Sequence, residues 1–99
     1  MAEEIETYWS EWIDFDKTNV EVVPELPGVY MMHAAMKILY IGSSINLRQS
    51  LLESISHSCI NEAKRFRYMT TQSNEKMKEK LLNEYREKHG KLPKCMDKI

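Results

Sequence analysis

The sequence predicts a small α/β domain of the α+β kind, a three-stranded antiparallel sheet flanked by helices with an extra amphipathic helix at the N-terminus. Three observations carry this. Residues 29–32 and 37–41 are short apolar runs separated by four residues, the pattern of a hairpin. Residues 64–70 alternate charge and ring, the period of a half-buried strand. The segments after residue 46 and residue 73 place apolar side chains at helical spacing behind a capping residue. At 99 residues the chain has room for one core and not for two.

Residues 3–15 place Ile5, Tyr8, Trp9, Trp12 and Ile13 at helical intervals, with Glu4, Glu6 and Glu11 between them. Residues 1–23 are therefore expected as an acidic helical extension, and residues 24–99 as the domain. The aromatic face either closes the domain's core or docks a partner. Pro24 and Pro27 mark the entry to the hairpin, residues 33–36 its turn, and Gly42, Ser43 and Ser44 its exit.

Asn46 is placed to cap the next helix, with Gln49 three residues on and Leu47, Leu51 and Ile55 lining one face. His57, near the end of that helix, reads as a cap rather than a phosphate contact or general base. In residues 64–70, Phe66 and Tyr68 fall on the core side and Arg65, Arg67 and Met69 on the other. Lys64, Arg65 and Arg67 are then candidates to meet nucleic-acid phosphates. Ser73 or Asn74 caps the last helix, whose stripe is Met77, Leu81, Leu82 and Tyr85; Gly90 ends it and Pro93 prevents its continuation. Glu79 points away from the centre of that stripe, toward a cleft or solvent.

Within the hairpin, Gly28-Val29-Tyr30 is answered ten residues later by Tyr40-Ile41-Gly42, and Asn46-Leu47-Arg48 opens the following helix. Over residues 27–96 the chain resembles the GIY-YIG endonuclease family. The resemblance implies hydrolysis of a DNA phosphodiester by two tyrosines, a helical arginine and a metal-binding glutamate, with Mg²⁺ or Mn²⁺ as cofactor and DNA as partner. Carried over residue by residue, the tyrosines are Tyr30 and Tyr40. The family's arginine lies ten residues after the second tyrosine; that count reaches Ser50, and Arg48 stands two positions earlier. The family's glutamate falls three residues before an apolar pair; counting back from Leu81-Leu82 reaches Lys78, with Glu79 beside it. The closing Pro-x-x-Asn reads Pro93-Lys94-Cys95-Met96 here.

The composition is 42% hydrophobic and 29% charged, which excludes a disordered or membrane-embedded chain. No apolar run approaches a membrane span. Cys59 and Cys95 are too few for a disulfide framework and read as free thiols in a cytoplasmic protein. His57 with Cys59, and His89 with Cys95, match no familiar zinc spacing. The net charge of −1 hides an asymmetry. Residues 1–27 hold eight acidic groups and one basic, a net of −7; residues 28–99 hold thirteen basic and seven acidic, a net of +6. The basic part suits phosphate contacts, and an acidic segment lying over it would compete with nucleic acid.

Three functions follow: a metal-dependent nuclease acting through Tyr30, Tyr40, Arg48 and Glu79, with Glu79 on the metal; a catalytically inactive module of the same fold that binds nucleic acid or a protein; or an interaction protein using its N-terminal aromatics. A chain this short leaves little beyond the nuclease-like module, so target specificity would come from a partner.

Overall fold

The computed structural model describes residues 9–34 and 37–95. In them the chain runs β1 (Ile13–Asp14), α1 (Lys17–Val20), β2 (Gly28–Ala34), β3 (Lys37–Ser44), α2 (Leu47–Ser54), a 3-10 turn (Ile60–Glu62), β4 (Arg65–Thr70) and α3 (Asn74–His89). The four strands form one antiparallel sheet in the order β1-β4-β2-β3.

β2 is the central strand. Residues Val29, Tyr30, Met31 and Met32 are all buried, because helices cover both faces of the sheet and neither side of the pleat meets water. Tyr30 and Met32 point to the face carrying α2, where they join Leu47, Leu51 and Phe66 in the main core. Met31, Ile38 and Ile41 point to the other face, against Leu81 and Tyr85 of α3. The hairpin strands are longer than the apolar runs suggest. His33 and Ala34 remain paired with Ile38 and Lys37 beyond a bulge at Met32, and residues 35–36 lie outside the described residues.

Local chemistry accounts for the helices. Asn46 caps α2, its side-chain oxygen accepting from the Gln49 N–H at 3.1 Å. α2 then buries Leu47, Leu51 and Ser54 on one face. In α1, a single turn, the Asp16 carboxylate accepts from the Asn19 N–H at 2.8 Å, and the turn delivers Val20 and then Val23 into the core. Gly90 ends α3 in the left-handed conformation at φ 74°, its N–H donating to the Arg86 carbonyl. The Ser73 side chain makes no cap; Asn74 instead donates to the Ser44 carbonyl at 2.9 Å, tying α3 to the end of β3.

Two expectations are corrected. The segment ahead of the domain is not helical over residues 9–15, and residues 1–8 lie outside the described residues. Residues 9–12 form no helix, and Ile13–Asp14 adds a fourth strand to the sheet. The outer edge of β4 decides this. Its backbone groups need partners: Ser10 N–H donates to the Tyr68 carbonyl (2.9 Å), Tyr68 N–H donates to Ser10 Oγ (3.1 Å) and Phe15 N–H donates to the Lys64 carbonyl (2.9 Å). Helical periodicity in a short segment is too weak a preference to resist that demand.

The cysteines are likewise joined rather than free. Cys59 and Cys95 form a disulfide with 5.7 Å between their Cα atoms, stapling the turn after α2 to the chain beyond Pro93. Both sit in the main core, and a bonded pair gives no support to a reducing compartment. Among the described residues no helix is long and apolar enough to cross a membrane.

Candidate functional site

Antiparallel register brings the two phenols together. Tyr30 pairs with Gly42 and Met32 pairs with Tyr40, so Tyr30 and Tyr40 are diagonal neighbours on the α2 face. Their ring centroids lie 5.8 Å apart with planes inclined by 39°. Gly42 makes the pairing possible, since a Cβ there would come within 2.6 Å of both Tyr30 Cζ and Tyr40 Cε2. Across the other edge of β2, Tyr30 pairs with Tyr68, whose ring stacks on Phe66 at 6.4 Å.

The two phenols differ in setting. Tyr30 is buried while Tyr40 is half-buried. Burial pushes the Tyr30 hydroxyl well above the ordinary tyrosine value. The adjacent Tyr40 phenol adds to that rise, the Ser54 hydroxyl opposes it and the Glu53 carboxylate adds a smaller push. These surroundings favour the protonated phenol at Tyr30.

The neighbouring helix presents serines. Ser54 Oγ donates to the Ser50 carbonyl at 2.8 Å, Ser50 Oγ donates to Ser44 Oγ at 2.6 Å, and Ser44 Oγ donates to the Asn46 carbonyl at 2.8 Å. Ser50, ten residues after Tyr40, therefore spends its hydroxyl fastening α2 to the end of β3. Arg48 turns to a different neighbour: its Nε donates to the Val23 carbonyl at 2.8 Å and Nη1 lies 3.7 Å from the Glu25 carboxylate. Those contacts bind α2 to the loop before β2. Residues two apart on a helix point about 200° apart, which is why Arg48 and Ser50 meet different surroundings.

Glu79 is exposed on α3, the helix that packs on the face opposite Tyr30 and Tyr40. The carboxylate whose charge is felt at Tyr30 is instead that of Glu53, which no motif in the sequence singles out. It lies one turn after Gln49, whose side-chain amide donates to it at 3.4 Å. Among the described residues no three His, Cys, Asp or Glu side chains cluster as metal ligands. His57 is a cap, its Nδ1 accepting from the N–H groups of Cys59 (3.2 Å) and Ile60 (3.3 Å).

Of the basic candidates, Arg65 and Arg67 lie on β4 on the α3 side of the sheet, and Lys64 immediately precedes the strand. Arg65 pairs with Asp14 of β1 at 3.5 Å, both side chains largely exposed. Arg67 is held differently. Its guanidinium carbon lies 4.6 Å from the Trp9 ring and 4.7 Å from the Trp12 ring, while Nη2 approaches Met31 Sδ at 3.6 Å. Its buried Nε has no hydrogen-bond partner among the described residues, and burial lowers its pKa. Lys64 is exposed.

Solved structures share this architecture. The GIY-YIG N-terminal endonuclease domain of UvrC from Thermotoga maritima, bound to its catalytic divalent cation magnesium, superposes with a TM-score of 0.59 at 23% identity, over 79% of this chain and 91% of that one. A point mutant of the same domain, also bound to its catalytic divalent cation, gives the same TM-score at 21% identity over 79% and 90% of the two chains. The likeness shows that this chain has the GIY-YIG fold, with four strands instead of three. No curated protein matches the chain. Residues 8–88 match the family described as "Domain of unknown function (DUF7508)", and the chain belongs to that family.

Proposed function

We propose that this chain is a DNA-binding module of GIY-YIG fold in which the hydrolytic machinery is not assembled. The observation that carries the reading is the division of labour on α2: Arg48 is committed to Val23 and Glu25, Ser50 is bonded to Ser44, and the side chain from α2 beside the Tyr30 hydroxyl is that of Ser54. Hydrolysis of a phosphodiester needs a base to activate water and a cation to stabilise charge developing on the phosphate. Burial favours the protonated form of the Tyr30 phenol, and the Arg48 guanidinium is engaged by Val23 and Glu25.

A resident Mg²⁺ or Mn²⁺ is held by one or two carboxylates together with water and substrate phosphates; on the tyrosine side the one carboxylate acting on Tyr30 is the exposed Glu53, which would have to serve in place of Glu79. Glu79 sits on a helix against the opposite face. What remains suited to nucleic acid is the basic segment, where Lys64, Arg65 and Arg67 supply charge, and the net +6 of residues 28–99.

The test compares wild type with Tyr40→Phe on branched, nicked and linear DNA in the presence of Mg²⁺ or Mn²⁺, alongside salt-dependent binding of the same DNAs. The expected result is no cleavage by either protein and binding that weakens with Lys64→Ala. Cleavage by wild type that disappears in Tyr40→Phe would overturn the reading in favour of a nuclease.

A further inference from the structure

The residues ahead of β2 do more than complete the sheet. They occupy two of the three basic side chains that the DNA-binding reading relies on, the two on β4. Asp14, on β1, sits 3.5 Å from Arg65, and the Arg67 guanidinium lies 4.6 Å from the Trp9 ring and 4.7 Å from the Trp12 ring. The segment is fastened by backbone hydrogen bonds at Ser10 and Phe15 and by a strand of two residues. So short a pairing is the least stable part of a sheet and the easiest to release.

The state of Arg67 distinguishes a covering strap from ordinary packing. Arginines buried for structural reasons are normally paired and fully hydrogen-bonded, because an unpaired charge is costly to desolvate. Arg67 is half-buried: among the described residues its Nε is shut from solvent without a partner, its Nη2 bonds only Met31 Sδ, and no carboxylate pairs with it. Aromatic faces hold it without neutralising it, which leaves a cation able to exchange indole contact for a phosphate oxygen. The segment that covers it carries two carboxylates, Glu11 and Asp14, and no basic residue, so its charge opposes the approach of a polyanion.

Resting on the DNA-binding reading above, we propose that residues 9–14 are an autoinhibitory strap over β4, displaced when DNA takes Arg65 and Arg67. Displacement exchanges the Asp14 pair and the indole contacts for phosphate contacts, and the strap sets the affinity through the free energy of its release.

The experiment measures binding of a fluorescein-labelled 20-base-pair duplex by anisotropy from about 50 to 200 mM salt, the range over which phosphate contacts dominate affinity. Full-length wild type is compared with Trp9→Ala/Asp14→Asn and with Glu11→Gln/Asp14→Asn. The second variant keeps both indoles and changes only exposed carboxylates, so it remains informative if the first loses its fold by circular dichroism. The expected result is tighter binding by the opened variants at every salt concentration with a similar log–log salt slope, because the displaced strap leaves Arg65 and Arg67 on phosphates in every complex. If wild type binds and both folded variants bind no more tightly, the strap is overturned and the DNA-binding reading stands. If neither wild type nor opened variants show salt-dependent binding, the DNA-binding reading falls and the strap with it.

Discussion

Tyr30 and Gly42 face each other across β2 and β3, and the space that a side chain would take at position 42 is filled by the Tyr30 ring, with Tyr40 on its other side. The glycine is required here by close approach of two rings rather than by an unusual backbone angle. Gly42→Ala therefore has to displace at least one phenol. We expect a loss of about 1–3 kcal/mol, the usual range for overpacking, read from urea denaturation. An unchanged midpoint would mean that the rings shift aside freely.

The Tyr30 hydroxyl also gives the fold a dependence on alkaline pH. Its folded pKa is raised above the unfolded value near 10, so the folded state keeps a proton that the unfolded state releases. The associated stability is fully present below pH ~10 and is lost as pH rises from there toward the folded value, at up to about 1.4 kcal/mol per pH unit. Melting temperatures between pH 9 and pH 11 are expected to fall more steeply for wild type than for Tyr30→Phe. Parallel curves would place the alkaline loss on other groups.

The Cys59–Cys95 bond closes a loop with a sequence separation of 36. By chain entropy alone such a cross-link constrains the unfolded state by about 4 kcal/mol. Cys95→Ala, or full reduction of wild type, is expected to lower the urea midpoint by a comparable free energy, and the reductant is expected to have no effect on the variant. A midpoint insensitive to reductant in wild type would show that the two cysteines are not bonded in solution.

Arg67 contributes through its contacts with Trp9, Trp12 and Met31. Cation–π contacts are worth about 0.5–1 kcal/mol at exposed sites and about 2 kcal/mol when desolvated. Arg67→Ala is expected to cost at least about 1 kcal/mol and to shift indole fluorescence. Arg67→Lys is expected to recover only part of the stability, because an ammonium does not stack on a ring as a planar guanidinium does. Identical indole spectra in the three proteins would remove the indole contacts.

Arg48 holds α2 to the loop ahead of β2. Arg48→Ala is expected to cost about 1 kcal/mol, mostly from the hydrogen bond to the Val23 carbonyl. The ion pair with Glu25 adds little because both side chains are substantially exposed. Since the guanidinium is already engaged by the Val23 carbonyl and Glu25, duplex binding is expected to be unchanged. A large loss of affinity at unchanged stability would return Arg48 to the phosphate.

Much of this protein was open to local reading. The hairpin followed from two apolar runs and the residues around them, the Asn46 cap from a polar residue ahead of an apolar stripe, and the end of α3 from Gly90. The pairing of Tyr30 with Tyr40 followed from strand alternation once the hairpin was assumed. Each rests on φ/ψ preferences or on side-chain periods of two and 3.6 residues, which act over a few positions. The sequence by itself therefore determined the sheet's centre, the faces of its strands and the ends of its two longer helices.

Three features were decided only by the tertiary structure. Trp9 and Trp12 have helical spacing, yet that stretch became a strap and a strand because β4 offered an unsatisfied edge and Arg67 an unpaired charge. Cys59 and Cys95 met because the turn after α2 and the chain beyond Pro93 converge on one core, a proximity no local pattern encodes. Arg48 turned toward Val23 because α2 enters the sheet with Leu47 and Leu51 inward, which fixes the direction of every other side chain on the helix. Local preferences of a few tenths of a kcal/mol yield to backbone pairing and burial, which are worth more. Pairing and burial of that kind arise only once distant segments of the chain are brought together.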